Sequence, residues 1–137
     1  FTYTPIIFNA SDDNGTPVYH TNVLMCVASG FAMICLDMIK DSTEQAQVID
    51  CLNRSNKEIV HLSVEQIKQF CGNALELKSS NGNILVISQT ACRALTDRQK
   101  LQIENHAKLV AIDVSTIELA GGSIRCMLAG VHLAKLV

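Results

Sequence analysis

The feature that most constrains this chain is one short grammar used twice: a hairpin, a capped helix and a strand. Asn22–Val27 and Phe31–Ile39 are apolar runs separated by Ala28-Ser29-Gly30, which predicts a hairpin with a short Gly-containing loop. Asp41-Ser42-Thr43 is a cap for a helix over Glu44–Asn53, where Ala46, Val48, Ile49 and Leu52 recur at helical spacing; Glu58–Leu62 follows as a strand. The second copy opens with Ser63-Val64-Glu65-Gln66, a capping box for a helix to about Phe70, with Gly72 near its C-terminal end. Ala74–Lys78 and Asn83–Ser88 flank the turn Ser79-Ser80-Asn81-Gly82, a second hairpin. Thr96-Asp97-Arg98-Gln99 is another capping box, starting a helix to about His106, and Leu109–Val114 reads as a strand. At the flanks, Thr4–Ala10 reads as a strand stopped by the turn cluster Ser11–Gly15. Gly121-Gly122 breaks the chain, and Arg125–Leu133 reads as a last apolar strand.

Two β/α modules, about 1–62 and 63–137, therefore share one chain, which predicts an α/β or α+β fold with mixed sheets. A module of this size cannot cover both faces of its sheet, so neighbouring modules are expected. The chain starts at Phe1 and runs straight into strand-like sequence, as an excised fragment would. Such a piece is expected to be a single partial domain whose apolar edges self-associate or dock onto a missing upstream half.

Composition narrows the function classes. At 137 residues the chain holds one real core and not two; 48% of residues are apolar and 18% charged, which argues against long disorder. A net charge of −2 without any Lys/Arg cluster gives no footprint for nucleic acid. The longest apolar stretch, Val23–Ile39, is interrupted by Ser29, Gly30 and Asp37, which does not suit a bilayer span. Of the six cysteines, no two are spaced Cys-x-x-Cys, and none sits near a His at zinc-finger spacing. We read a reducing cytoplasm, no disulfide, no structural zinc and no cofactor.

Two residues carry candidate chemistry. Cys126 follows Ala120-Gly121-Gly122-Ser123-Ile124-Arg125, so a flexible Gly-Gly loop delivers it to the start of a strand, with a cation beside it that favours the thiolate. His20, in Tyr19-His20-Thr21-Asn22, precedes an apolar strand and is the residue type most used for acid/base work at physiological pH. Taken singly, a buried core cysteine and a surface-loop histidine explain them better. His61, Asp113 and Glu118 are weaker candidates; His106 and His132 lack polar company and read as structural. Gly72-Asn73 is explained by a helix stop, and Met25, Met33 and Met38 by core filling. No Gly-x-Gly-x-x-Gly, Walker loop or His-Glu-x-x-His is present.

Three segments read together change that weighing. Pro17-Val18-Tyr19-His20-Thr21-Asn22-Val23-Leu24-Met25-Cys26, Phe70-Cys71-Gly72-Asn73-Ala74-Leu75-Glu76-Leu77 and Gly121-Gly122-Ser123-Ile124-Arg125-Cys126-Met127 resemble the arginine deiminase-related amidinotransferase superfamily. The nearest branch by this resemblance is the bacterial citrulline-utilisation hydrolases, and the likeness spans essentially the whole chain. It implies a five-bladed α/β propeller (pentein-type), of which this chain supplies about two ββαβ-type modules.

It also implies that Cys126 attacks the central carbon of a ureido or guanidino group, that His20 protonates the leaving nitrogen and then activates water, and that Asn22, Arg125 and Asn73 bind substrate. The carboxylate that completes such sites belongs to an upstream segment, so residues 1–137 alone are expected to be inactive. Relatives acting on guanidines commonly carry His-x-Asp, whereas this chain has Asn22. A neutral amide cannot balance a guanidinium but can donate to and accept from a ureido group. The leading expectation is therefore hydrolysis of citrulline to ornithine. An arginine deiminase or amidinotransferase is the alternative within the class, and an inactive fragment or binding module the alternative outside it.

Overall fold

The structure is a computed structural model and describes residues 4–130. In chain order it contains α1 (Thr21–Leu24), β1 (Met25–Val27), β2 (Phe31–Ile34), a 3₁₀ turn (Leu36–Met38), α2 (Ser42–Arg54) and β3 (Glu58–His61). There follow α3 (Val64–Lys68), β4 (Leu75–Ser79), β5 (Gly82–Ser88), α4 (Gln89–Ala94), α5 (Asp97–Glu104), β6 (Lys108–Ile112), α6 (Ser115–Glu118) and α7 (Ile124–Met127).

The repeated grammar becomes two three-stranded mixed sheets with the same plan. In the first, β2 pairs antiparallel with β1 and parallel with β3; in the second, β5 pairs antiparallel with β4 and parallel with β6. The parallel partner is reached through helical crossovers, α2 in one module and α4–α5 in the other. Each middle strand is the buried one. All four residues of β2 are buried, as are Leu85, Val86, Ile87 and Ser88 of β5, because both neighbours and the covering helices exclude water from them.

The caps form where the sequence places them. Asp41 Oδ1 accepts from the N–H groups of Thr43 (2.8 Å) and Glu44 (2.9 Å), and Val48 and Leu52 turn the apolar face of α2 to the core. Ser63 with Gln66, and Thr96 with Gln99, close reciprocal capping boxes on α3 and α5. Each such cap contributes about 1 kcal/mol.

Polar bonds then join the modules. Glu76 on β4 accepts from Ser29 N–H (2.8 Å) and Ser29 Oγ–H (2.5 Å) in the first hairpin loop. Glu58 on β3 meets His106 Nε2 at 2.9 Å and accepts from Gln102 Nε2 at 2.9 Å, while His106 stacks on Phe31 with ring centroids 5.6 Å apart. A Cβ on Gly30 would lie 2.5 Å from His106 Nδ1, so only glycine admits the ring there. His106, expected to lack polar company, is thus an interface residue whose carboxylate partner lies 48 positions away in sequence.

Several local expectations give way. Residues 4–10 form no strand, and the neighbouring bridge is the isolated Ser11–Pro17 pair. The run from Asn22 begins as a helical turn, with Val23 N–H donating to His20 O at 3.0 Å, and becomes strand only at Met25. The run from Phe31 is strand only to Ile34. Helix α4 was not expected; Ser88 Oγ accepts from Ala91 N–H (3.1 Å) and caps it directly off β5, with no Gly or Pro between to mark the change. The segment from Arg125, expected as a strand, is the single helical turn α7 through Met127, and residues 131–133 of that expectation lie outside the described residues, as does His132.

Candidate functional site

Three chain segments far apart in sequence converge on Cys126. The first is the α1 turn, which carries His20 at its N-cap and Asn22 within it. The second is the loop after α3. There Phe70 adopts a left-handed backbone (φ 64°); its N–H donates to Ile67 O (3.0 Å) and that of Cys71 to Gln66 O (3.0 Å), a Schellman closure with phenylalanine in the position glycine usually takes. Gly72, expected as the helix stop, has a different task. A Cβ there would stand 2.4 Å from Val23 O and 2.8 Å from Leu24 C, so its lack of a side chain lets this loop lie against the α1–β1 backbone.

That close approach sets Asn73 beside the third segment, α7. Asn73 is 3% exposed, and every hydrogen-bonding position of its side chain is used. Oδ1 accepts from the N–H groups of Arg125 (2.9 Å) and Cys126 (3.3 Å), while Nδ2 donates to Asn22 O (2.9 Å) and faces Cys126 Sγ at 3.2 Å. Asn22 Nδ2 also faces Sγ, at 3.7 Å, and Asn22 Oδ1 is buried with no partner among the described residues. The turn is held from behind as well: the buried Ser123 donates through Oγ to Glu118 Oε1 (2.9 Å), whose Oε2 accepts from Thr90 Oγ–H (2.7 Å).

Cys126 itself is exposed, in contrast to a core cysteine, while its neighbour Ile124 is buried and anchors the turn. Cys26, Cys35 and Cys71 are buried, and burial pushes the thiols of Cys26 and Cys71 up to about 12. Nucleophilic chemistry at neutral pH is therefore closed to those two.

Of the other expected site residues, His20 is exposed, its ring 5.0 Å from that of Tyr19, and it stands two residues before Asn22. Arg125 is exposed, and its guanidinium donates to Leu128 O at 2.9 Å. Asn73, expected to bind substrate, has its amide hydrogen-bonded to Asn22, Arg125 and Cys126. Asp113 accepts from the backbone N–H of Ser115 at 3.1 Å, and His61 contributes its carbonyl to Gln99. Glu118 stands out in the sequence only as a weaker candidate, and its bonds to Ser123 and Thr90, five and 28 positions away, have no signal there beyond the nearby Gly-Gly loop. A groove of about 270 Å³ between β1 and α2, lined by Phe8, Met25, Val27, Val48 and Leu52 among others, is apolar and lacks every one of these residues. Among the described residues no helix is long and apolar enough to cross a membrane. None of their His, Cys, Asp and Glu side chains cluster in threes as a metal site.

A family model described as N,N dimethylarginine dimethylhydrolase, eukaryotic, matches residues 1–133. The chain belongs to this family. Membership places it in the amidinotransferase (pentein) superfamily that its three segments resemble. No curated protein matches the chain. Among solved structures it is similar to apo ArgZ, described as an arginine dihydrolase from the ornithine-ammonia cycle in cyanobacteria, with a TM-score of 0.60 and 17% identity. The match covers 86% of this chain and 17% of that one. At that identity the likeness concerns the fold: a mixed α/β arrangement of a pentein-fold protein, of which this chain spans a small part.

Proposed function

We propose that this chain carries the Cys/His portion of a hydrolase that cleaves the C–N bond of a guanidino or ureido group on an arginine-like amino acid. The observation that carries the reading is the convergence on Cys126. It is an exposed thiol with two amide N–H groups pointed at its sulfur, on a turn pinned from both sides, and His20 stands at the head of the same α1 turn as Asn22. A thiol that merely fills space needs none of this apparatus. Family membership supports the same class of chemistry.

In the proposed reaction the thiolate of Cys126 attacks the central carbon of the group. The bond from that carbon to the leaving nitrogen breaks, and His20 protonates the nitrogen. His20 then takes a proton from water, which attacks the carbon of the S-linked adduct and returns the thiolate. Asn22 and Arg125 are the proposed substrate contacts. Within the class, the neutral Asn22 favours a ureido substrate: citrulline and water would give ornithine, ammonia and carbon dioxide. The family's name favours a second reading, in which a dimethylated guanidino group and water would give citrulline and dimethylamine. We also read residues 1–137 as one partial domain of a propeller, with modules about 1–62 and 63–137. An upstream carboxylate and docking to the remaining modules would complete it.

The experiment supplies the full-length protein with citrulline, arginine and N,N-dimethylarginine in turn, and follows ornithine, citrulline and dimethylamine. Ornithine from citrulline, abolished in Cys126→Ser and strongly reduced in His20→Ala, is the expected result. Citrulline from either guanidine moves the substrate to the second reading or to a deiminase and overturns the argument from Asn22. No product from any of the three overturns the enzyme reading and leaves a binding module.

A further inference from the structure

The orientation of the Asn73 amide is fixed by groups that have no choice of role. Backbone N–H groups only donate, and those of Arg125 and Cys126 converge on one end of the amide, at 2.9 and 3.3 Å. A backbone carbonyl only accepts, and that of Asn22 lies 2.9 Å from the other end. The first pair demands an oxygen and the second demands an N–H. The remaining N–H of Nδ2 is then committed to the one neighbour left, Cys126 Sγ at 3.2 Å. Because the residue is 3% exposed, water does not compete for that proton, and flipping the amide would break three bonds to the backbone.

We infer that Asn73 is a positioning residue that stabilises the sulfur of Cys126 as an anion by donating a hydrogen bond to it, while its oxygen fixes the turn that carries the sulfur. The inference rests on the proposed role of Cys126 as nucleophile and replaces a substrate contact by Asn73. A hydrogen bond to the charged form of a group favours that form, and a donor held in place before the reaction begins need not reorganise during it. Asn22 Nδ2, at 3.7 Å, adds a weaker contact from the α1 turn. Among the described residues the sulfur is therefore met by two amides and no carboxylate as hydrogen-bond partners. That arrangement favours negative charge on sulfur without a buried ion pair.

Asn73→Asp separates the two tasks. Aspartate keeps an oxygen for the N–H groups of Arg125 and Cys126, and so keeps the turn, but it replaces the N–H facing sulfur with a carboxylate oxygen. The assay is the rate of iodoacetamide labelling of Cys126 against pH, read on the peptide by mass spectrometry with the other five cysteines as internal controls. The expected result is a labelling midpoint raised by about one pH unit or more, with a tenfold or greater fall in rate at neutral pH, because a like charge now lies against the sulfur. An unchanged profile in folded Asn73→Asp overturns the inference.

Should that variant not fold, the wild-type amide can be tested through its partner. Cys126→Ala leaves Asn73 in place. If the amide favours the charged sulfur, the loss of melting temperature caused by Cys126→Ala is larger at about pH 9 than at about pH 6, on either side of an ordinary thiol's titration. Equal losses at the two values overturn the inference. Neither measurement involves substrate. A protein that turns over none of the three amino acids and yet shows the labelling shift refutes the proposed reaction and keeps this role for Asn73; turnover with an unshifted profile does the reverse.

Discussion

Gly72→Ala tests the packing that assembles the site. The added Cβ would meet Val23 O at 2.4 Å, Leu24 C at 2.8 Å and Met25 N at 3.0 Å, all of them backbone atoms. No rotamer relieves the contact, so one segment must retreat by roughly 1 Å to reach ordinary van der Waals distance. Overpacking of this kind costs about 1–3 kcal/mol. The retreat has a second cost, because Val23 adjoins the Asn22 carbonyl that Asn73 Nδ2 holds at 2.9 Å. Losing that bond in a buried setting adds about 1 kcal/mol or more. The expected total is about 2–4 kcal/mol, which for a chain of this size lowers the melting temperature by on the order of 10 °C. Gly82→Ala is the matched control: its φ of +109° disfavours a side chain, but nothing lies within 4 Å of the added Cβ. Thermal melts of both variants and Cys126 labelling of both form the assay. Gly72→Ala is expected to lose more stability than Gly82→Ala and to slow labelling, since Asn73 moves with its neighbour. A Gly72→Ala protein that melts and labels like wild type would refute the reasoning.

Ser123→Ala removes the hydroxyl that binds Glu118 at 2.9 Å and should destabilise the chain by about 1 kcal/mol, measured by urea titration, with faster local exchange of the Cys126 amide. In unmodified protein at neutral pH, Cys126 should label before Cys26 and Cys71, whose buried thiols stand at about 12; labelling of those two at the same rate would contradict the site. His106 and Gln102 hydrogen bonds hold the Glu58 carboxyl below its usual 4.5. A group so lowered supplies stability above its unfolded value and loses it as pH falls through the folded one. Acid titration below about pH 4.5 should therefore destabilise wild type more steeply than Glu58→Gln, and parallel curves would contradict the Glu58–His106 contact. Phe31→Ala, at a fully buried position stacked on His106, should cost about 3–5 kcal/mol by thermal melt.

The twice-used grammar was legible because each of its signals acts over a few residues. Asp41, Ser63 and Thr96 cap helices through bonds to N–H groups two or three positions on, and the hairpin loops at 28–30 and 80–81 join strands adjacent in sequence. Those interactions survive in any context, so reading them predicted two ββαβ-type modules. The terminal run of apolar residues from Arg125 could not be read the same way. Apolar composition fits a strand, but Asn73 Oδ1 takes the N–H groups of Arg125 and Cys126 that a strand would give to a neighbour, and the backbone closes into a turn. The motif residues His20 and Cys126 stood out by type and context, whereas the bonds that give Cys126 its surroundings did not. Asn22 meets its sulfur across 104 positions and Asn73 across 53. Sequence alone determined the two hairpins, their capped helices and the strands that follow, because the energetics of those elements are local. Tertiary structure decided which amides face the sulfur, because that depends on Gly72 bringing two backbones together and on buried donors finding the only acceptors within reach.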